Sequence, residues 1–162
     1  MRKLLSALLL LFLFQYSSFG QTKYPGHKGQ GSLFAGTGTV APHGGENIFH
    51  FGAGGEGLIF KKIGAGAEIG YGAPARYLKD GLGVLSTNGS YHFAPDAKVD
   101  PFVTAGYTLF FRNGVANGFN VGAGLNYWLR ENVGLHLQFR DYIINEYDTA
   151  HFLGFRIGLA FR

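Results

Sequence analysis

In the stretch VGLHLQFR, Val133, Leu135, Leu137 and Phe139 fall on one side of an extended chain, and Gly134, His136, Gln138 and Arg140 fall on the other. A period of two with unlike faces is the pattern of a β-strand. It recurs where Phe119, Val121, Ala123, Leu125, Tyr127 and Leu129 oppose Asn120, Gly122, Gly124, Asn126, Trp128 and Arg130. It recurs again where Ile63, Ala65, Ala67, Ile69 and Tyr71 oppose Lys62, Gly64, Gly66, Glu68 and Gly70, and where Phe155, Ile157, Leu159 and Phe161 oppose Gly154, Arg156, Gly158, Ala160 and Arg162. No helical period of useful length appears beyond Gly31. A chain of this kind can only fold by pairing strands.

Stretches of Gly, Asn, Asp and Pro divide the chain from Gly31 onward into eight strand-length segments: 31–41, 48–60, 62–72, 82–93, 101–112, 118–130, 133–142 and 151–162. Most are near the length of a tilted strand that crosses a bilayer. Inside the second, residues 52–57 read GAGGEG and satisfy the G-x-G-x-x-G pattern on paper. A dinucleotide turn must open a helix, however, and LIFKKIGAGAEIGYG continues instead with a period of two. These glycines read as part of a barrel strand, relieving crowding and permitting curvature, with Glu56 turned inward.

The first twenty residues, MRKLLSALLLLFLFQYSSFG, join basic Arg2 and Lys3 to an apolar run from Leu4 to Phe14 and a small-residue site at Ser18 and Gly20. This predicts a cleaved secretory signal peptide over 1–20, followed by a flexible leader over 21–30 and a barrel domain over 31–162. The absence of cysteine excludes disulfides, thiolate chemistry and a lipidated N-terminal cysteine. Without Arg2 and Lys3, 12 basic residues stand against 10 acidic ones, a balance that gives no basic footprint for nucleic acid. Charged residues are 15% of the chain, against roughly 25% in a typical soluble domain, while aromatics reach 16%. That mixture is poorly suited to a water-facing surface.

Alternation alone does not say which face looks inward. Two features assign the apolar faces to lipid. The polar faces carry mostly Gly, Asn and isolated charges, which suit the narrow lumen of an eight-stranded barrel. With strands running alternately up and down, the apolar-face aromatics also sort to the two ends. Tyr91, Phe93, Tyr127 and Phe161 lie toward the termini, and Phe51, Tyr71, Phe111, Phe119 and Phe139 lie toward the other end. The connections at Lys61-Lys62, 94–100 and Glu131-Asn132 are expected to be shorter than those at 42–47, 73–81, 113–117 and 143–150.

On the residues GFNVGAGLNYWLRENVGLHLQFRDYI and the closing GFRIGLAFR, the chain resembles the outer-membrane beta-barrel domain family, the porin-like and OmpA/OmpX-type small eight-stranded barrels. The resemblance implies an all-β fold, a closed antiparallel eight-stranded transmembrane β-barrel in up-and-down meander order. It also implies an outer membrane of a Gram-negative-type bacterium, with the termini on the periplasmic side. Partners implied are outer-membrane lipids, and periplasmic chaperones and the barrel-assembly machinery during biogenesis. In such families an aromatic at the end of the last strand is the assembly signal, a role that falls to Phe161, one residue before Arg162. Some barrels of this size modify lipid A through a Ser, a His and an acid.

The inward charges form the candidate site: Glu56, Glu68, His136, Arg140 and Arg156. Counted from the strand ends, Glu56, Glu68 and Arg156 lie at one depth, roughly 13 to 15 Å above the terminal side. Unpaired charges there are costly, so Glu56 and Glu68 are expected to pair with Arg140 and Arg156. Ser90 and His92 stand two apart but point inward, with no acid evidently placed to orient the histidine. His43, His50 and His151 match no metal-ligand spacing and read as surface residues near the outer loops. Tyr77, Lys79, Asp80, Glu146, Tyr147 and Asp148 lie in loops that could meet a surface ligand. The sequence therefore predicts a monomeric, non-enzymatic barrel without cofactor or metal, plugged by polar side chains. A narrow porin-like channel, a lipid A-modifying enzyme and a soluble lipocalin-like binder are the alternatives.

Overall fold

A computed structural model describes residues 28–41, 47–145 and 149–162. The predicted signal peptide, most of the leader, His43 and the loop residues Glu146, Tyr147 and Asp148 lie outside the described residues. Eight strands follow in chain order: β1 Gly29–Ala41, β2 Asn47–Phe60, β3 Ile63–Pro74, β4 Leu82–His92, β5 Val99–Phe111, β6 Val115–Trp128, β7 Val133–Asn145 and β8 Thr149–Phe161. Each pairs antiparallel with the next, and β8 pairs with β1, closing the barrel. Gly29 and Gln30, expected in the leader, belong to β1 and pair with Gly57 and Glu56.

The register fixes both the stagger and the facing. Following directly paired residues once around, Gly31 leads to Gly55, Ala67, Thr87, Tyr107, Phe119, Ile143 and His151, and then back to β1 at Ala41, ten residues further on. Ten residues of stagger over eight strands correspond to a strand tilt of about 40°. Every register also pairs odd residues with odd and even with even, apart from an irregularity between Leu58 and Phe60. One parity therefore faces inward on all eight strands. Phe34, Ser86, Thr104, Asn120, His136 and Arg156 are buried, while Leu33, Leu85, Val103, Val121, Phe139 and Ile157 are exposed.

Exposed aliphatics cover much of the wall and many exposed aromatics lie toward its two ends, but Phe139, expected at the end away from the termini, sits at the middle of β7 and pairs with the equally exposed Phe155 at the middle of β8. Phe60, Tyr91, Phe93 and Phe161 lie toward the termini, and Phe49, Phe51, Phe111 and Phe119 lie toward the opposite rim. Among the described residues no helix is long and apolar enough to cross a membrane. In the closed barrel every strand has a hydrogen-bonded neighbour on both sides, so no strand edge is left unpaired.

The expected difference in loop length is not found. Hydrogen-bonded pairing continues past the end of the alternation, to Ile48↔Pro74, Phe111↔Val115 and Asn145↔Thr149. The connections on that side shrink to 42–46, 75–81, 112–114 and 146–148, against 61–62, 93–98 and 129–132 on the terminal side. Ladder bonds need only backbone, so they outlast the side-chain pattern. The turn 75–81 carries a 3-10 turn at Leu78–Asp80.

If the exposed wall faces lipid, the cost of a charge on it depends on depth. Ile157→Arg, in the middle of the band, is expected to lower stability by about 2–4 kcal/mol, and Phe60→Arg, at the rim, by no more than about 1 kcal/mol. Denaturant unfolding from lipid vesicles measures both. Equal effects would contradict the lipid-facing assignment.

Candidate functional site

The inward faces divide the lumen into three levels. Toward the opposite rim, Val84, Phe110, Tyr142 and Phe152 form an apolar cluster, joined by Val40, Ile48, Leu82, Ala116 and Ile144. His50, read from the sequence as a surface residue, is buried here. Its ring lies 5.2 Å from that of Phe34 and 5.8 Å from that of Tyr142. The even-residue parity of β2 turns it inward, which proximity to a loop does not reveal.

Below this cluster lies an ion cluster on three strands. Arg140 Nη1 and Nη2 donate to Glu68 Oε2 and Oε1 at 2.8 and 3.0 Å, a bidentate pair. Arg156 Nη1 donates to Glu68 Oε2 at 3.0 Å, and its Nη2 also donates to Gln138 Oε1. The guanidinium of Arg156 sits 4.0 Å over the ring of Phe34. A hydroxyl and amide group formed by Ser86, Thr108 and Asn120 completes the level, with contacts of 2.8 and 2.9 Å.

Glu56 belongs to neither arginine, contrary to expectation. It lies nearer the terminal end, where its carboxylate accepts from Ser90 Oγ and from Gln30 Nε2 at 3.0 Å, and stands 2.8 Å from His92 Nε2. The stagger explains the difference. Glu56 pairs with Gly66 and Glu68 with Gly54, two residues apart along the strand and one strand further up the slope. At a 40° tilt these steps separate the two carboxylates by about 8 Å along the barrel axis. Counting from strand ends misses this because the ends themselves lie at different heights.

The terminal level also holds an acid that the sequence did not reveal. Asp100, fully buried, brings Oδ2 within 2.6 Å of His92 Nδ1, so His92 lies between two carboxylates. Asp100 falls in APDAKVD, read as a turn, but β5 begins at Val99 and its register points Asp100 inward. Phe102 stacks between His92 and His136, with ring centroids 5.5 and 5.4 Å apart. His136 shares a 2.8 Å contact with Asn126 and joins no ion pair. Ser90 Oγ is engaged by Glu56 rather than by His92, so the cluster holds no serine poised for attack. Beneath it, Arg162 lies 3.7 Å over the ring of Trp128 and donates to the Pro95 carbonyl at 3.1 Å.

The glycines of the second and third strands make room for these side chains. A Cβ on Gly54 would lie 2.7 Å from Glu68 Cγ, and one on Gly64 would lie 2.6 Å from Glu56 Cδ. Between the two charged levels lies a small cavity of about 50 Å³, lined among others by Glu56, Glu68, His92, His136 and Arg140. That is room for a few waters. Among the described residues no group of three or more His, Cys, Asp or Glu is arranged to hold a metal. On the outer wall, His151 and Asp141 pair at 2.9 Å, and at the opposite rim Arg112 pairs with Asp80 at 2.9 Å. Tyr71 donates to the Leu78 carbonyl at 2.7 Å and holds the turn of Tyr77, Lys79 and Asp80. Phe161 ends β8 with its ring on the outer face.

No family model matches the sequence, and no curated protein matches it. Solved structures share its fold. Neisserial surface protein A superposes with a TM-score of 0.69 at 14% identity, covering 83% of this chain and 97% of that one. The N-terminal β-barrel domain of Pseudomonas aeruginosa OprF gives 0.59 at 16% identity, covering 85% and 100%. The outer membrane enzyme PagL gives 0.53 at 15% identity, covering 78% and 97%. The chain has the fold of the small eight-stranded outer-membrane barrels. Because a surface protein and an enzyme share that fold, the fold assigns no activity.

Removing Glu68 strands two buried guanidiniums. Glu68→Ala is expected to cost about 3–5 kcal/mol of stability. Ser90→Ala removes one of several donors to Glu56 and is expected to cost about 1 kcal/mol. Equilibrium unfolding in vesicles compares the two, and equal costs would contradict the central place given to Glu68.

Proposed function

We propose that this chain, built on the architecture of small outer-membrane barrels, is an integral outer-membrane protein with a non-conducting lumen. Its role is to support the envelope and to present its outer rim for surface contacts. The observation that carries this reading is the filled lumen: an apolar cluster, the Glu68 ion cluster and the Glu56–His92–Asp100 cluster succeed one another along the axis. The cavity between the charged levels measures only about 50 Å³. An ion would have to displace all three levels to pass.

The remaining parts fit the same reading. The exposed wall matches a lipid partner, and Phe161 at the end of β8 is the residue we assign to recognition by the assembly machinery. A monomer suffices, because the closed ladder leaves no strand edge to pair with another copy. On the opposite rim, the Tyr71-held turn and the Arg112–Asp80 pair supply a fixed polar surface.

Two measurements test the proposal. Outer-membrane fractions should contain a species that migrates differently on a denaturing gel before and after boiling. The purified protein should then give no steady conductance in planar bilayers. Steady channels altered by Glu68→Ala or Arg140→Ala would overturn the plugged lumen and favour a narrow pore.

A further inference from the structure

The charges outside the lumen are divided unequally between the two rims. At the terminal rim the described residues place Lys28, Lys61, Lys62, Lys98 and Arg130 at or beside the strand ends, against Asp96 and Glu131. The opposite rim carries Arg76, Lys79 and Arg112 against Asp80, and Arg112 is already paired with Asp80. In sequence, the connections 42–46 and 146–148 add Glu46, Glu146 and Asp148 and no Lys or Arg. The excess of positive charge therefore belongs to one end of the barrel.

The ladder holds the backbone of four of these residues. The carbonyls of Lys28, Lys62 and Lys98 each accept a backbone bond at 2.8 Å, from Leu58, His92 and Trp128, and Arg130 N donates to the Val133 carbonyl at 3.0 Å. They are spread around the rim, on four of the five chain segments that reach it. Their depth follows from their neighbours. Lys98 Nζ lies 5.2 Å from the ring centroid of Tyr127, whose side chain faces the outer wall, and Phe60, Tyr91 and Phe93 are exposed on the same border. Lys61 and Lys62 form a two-residue turn directly after the exposed Phe60, which sets their backbone at the aromatic border. A ring of cations level with an aromatic border lies where lipid phosphates lie.

We infer that the terminal rim of the barrel is a binding surface for anionic glycerophospholipids, whose phosphates Lys28, Lys61, Lys62, Lys98 and Arg130 contact from the level of the aromatic border. The inference rests on the membrane-barrel reading above, and with periplasmic termini the surface belongs to the inner leaflet. The chemistry recognised is a negatively charged headgroup at the bilayer boundary. An anionic polymer further out in the aqueous space would be met poorly by short turns held against the wall.

The test uses the folded protein in detergent micelles, with bound lipid counted by native mass spectrometry. Phosphatidylglycerol should be retained at least about tenfold more strongly than phosphatidylcholine of the same chain length, since each cation near a lipid surface contributes a factor of about five. The triple variant Lys61→Gln, Lys62→Gln, Arg130→Gln, which keeps Lys28 and Lys98, should weaken that preference by at least about fivefold, and Arg76→Gln with Lys79→Gln on the opposite rim should leave it unchanged. Equal retention of the two lipids, an unchanged triple variant, or loss through the opposite-rim variant would overturn the inference. So would full displacement by excess inorganic phosphate, which would reveal a plain anion site, or a preference for lipopolysaccharide. If the triple variant does not fold, the salt dependence of the native protein decides: retention of phosphatidylglycerol should fall steeply with salt, and indifference to salt overturns the inference. The heat-dependent gel shift separates the two readings, because a protein lacking it fails as a barrel before any lipid is counted.

Discussion

Closure of the hydrogen-bonded ladder is the constraint from which the rest of the structure follows. A sheet in lipid cannot leave an edge unpaired, because nothing in the hydrocarbon can satisfy the free backbone groups. Pairing β8 with β1 removes both edges, and it also commits the chain to a single stagger of ten residues per circuit. That stagger sets the tilt, and the tilt sets which side chains share a level. Glu68, Arg140 and Arg156 meet although 72 and 88 residues separate the carboxylate from the two guanidiniums.

A barrel this narrow has no room for eight strands of full-sized inward side chains. The chain resolves the crowding by setting glycines opposite its longest polar groups, as Gly54 stands opposite Glu68 and Gly64 beneath Glu56. In GAGGEG, Gly54 is thus a packing residue rather than a turn. Gly55 and Gly57, on the outward parity, have nothing within 4 Å of where a Cβ would stand. Gly54 and Gly64 are required by space, and these two outward ones are not.

How much of this was legible in the sequence depends on what each feature requires. Facing was legible, because a period of two is local and needs no knowledge of partners: VGLHLQFR shows it without reference to any other strand. Strand number and most boundaries were legible for the same reason. The partners of Glu56 were not, since they depend on the summed register of several strands. Asp100 was hidden by its neighbours Pro95, Asp96 and Pro101, which signal a turn, although a strand begins one residue before it. His50 was misread because nearness to a loop says nothing about which way a side chain points. Loop lengths were overestimated because backbone pairing outlasts alternation.

The two charged levels are complementary in a way that neither shows alone. Around Glu68 there are two guanidiniums for one carboxylate, and around His92 there are two carboxylates for one imidazole. Ionised carboxylates only accept hydrogen bonds, so a ring bonded to both must carry a proton on each nitrogen. Counted over these three residues in each group, the upper group has one positive charge in excess and the lower group one negative, with Arg162 lying further toward the termini. The two face each other across a cavity of about 50 Å³, which Glu56, Glu68, His92 and Arg140 line together. Each level thus offsets the other's surplus within the low-dielectric lumen, where a lone excess charge would be expensive. Glu56 is then understood as part of a second, lower centre that balances the arginines from a distance, without pairing with them.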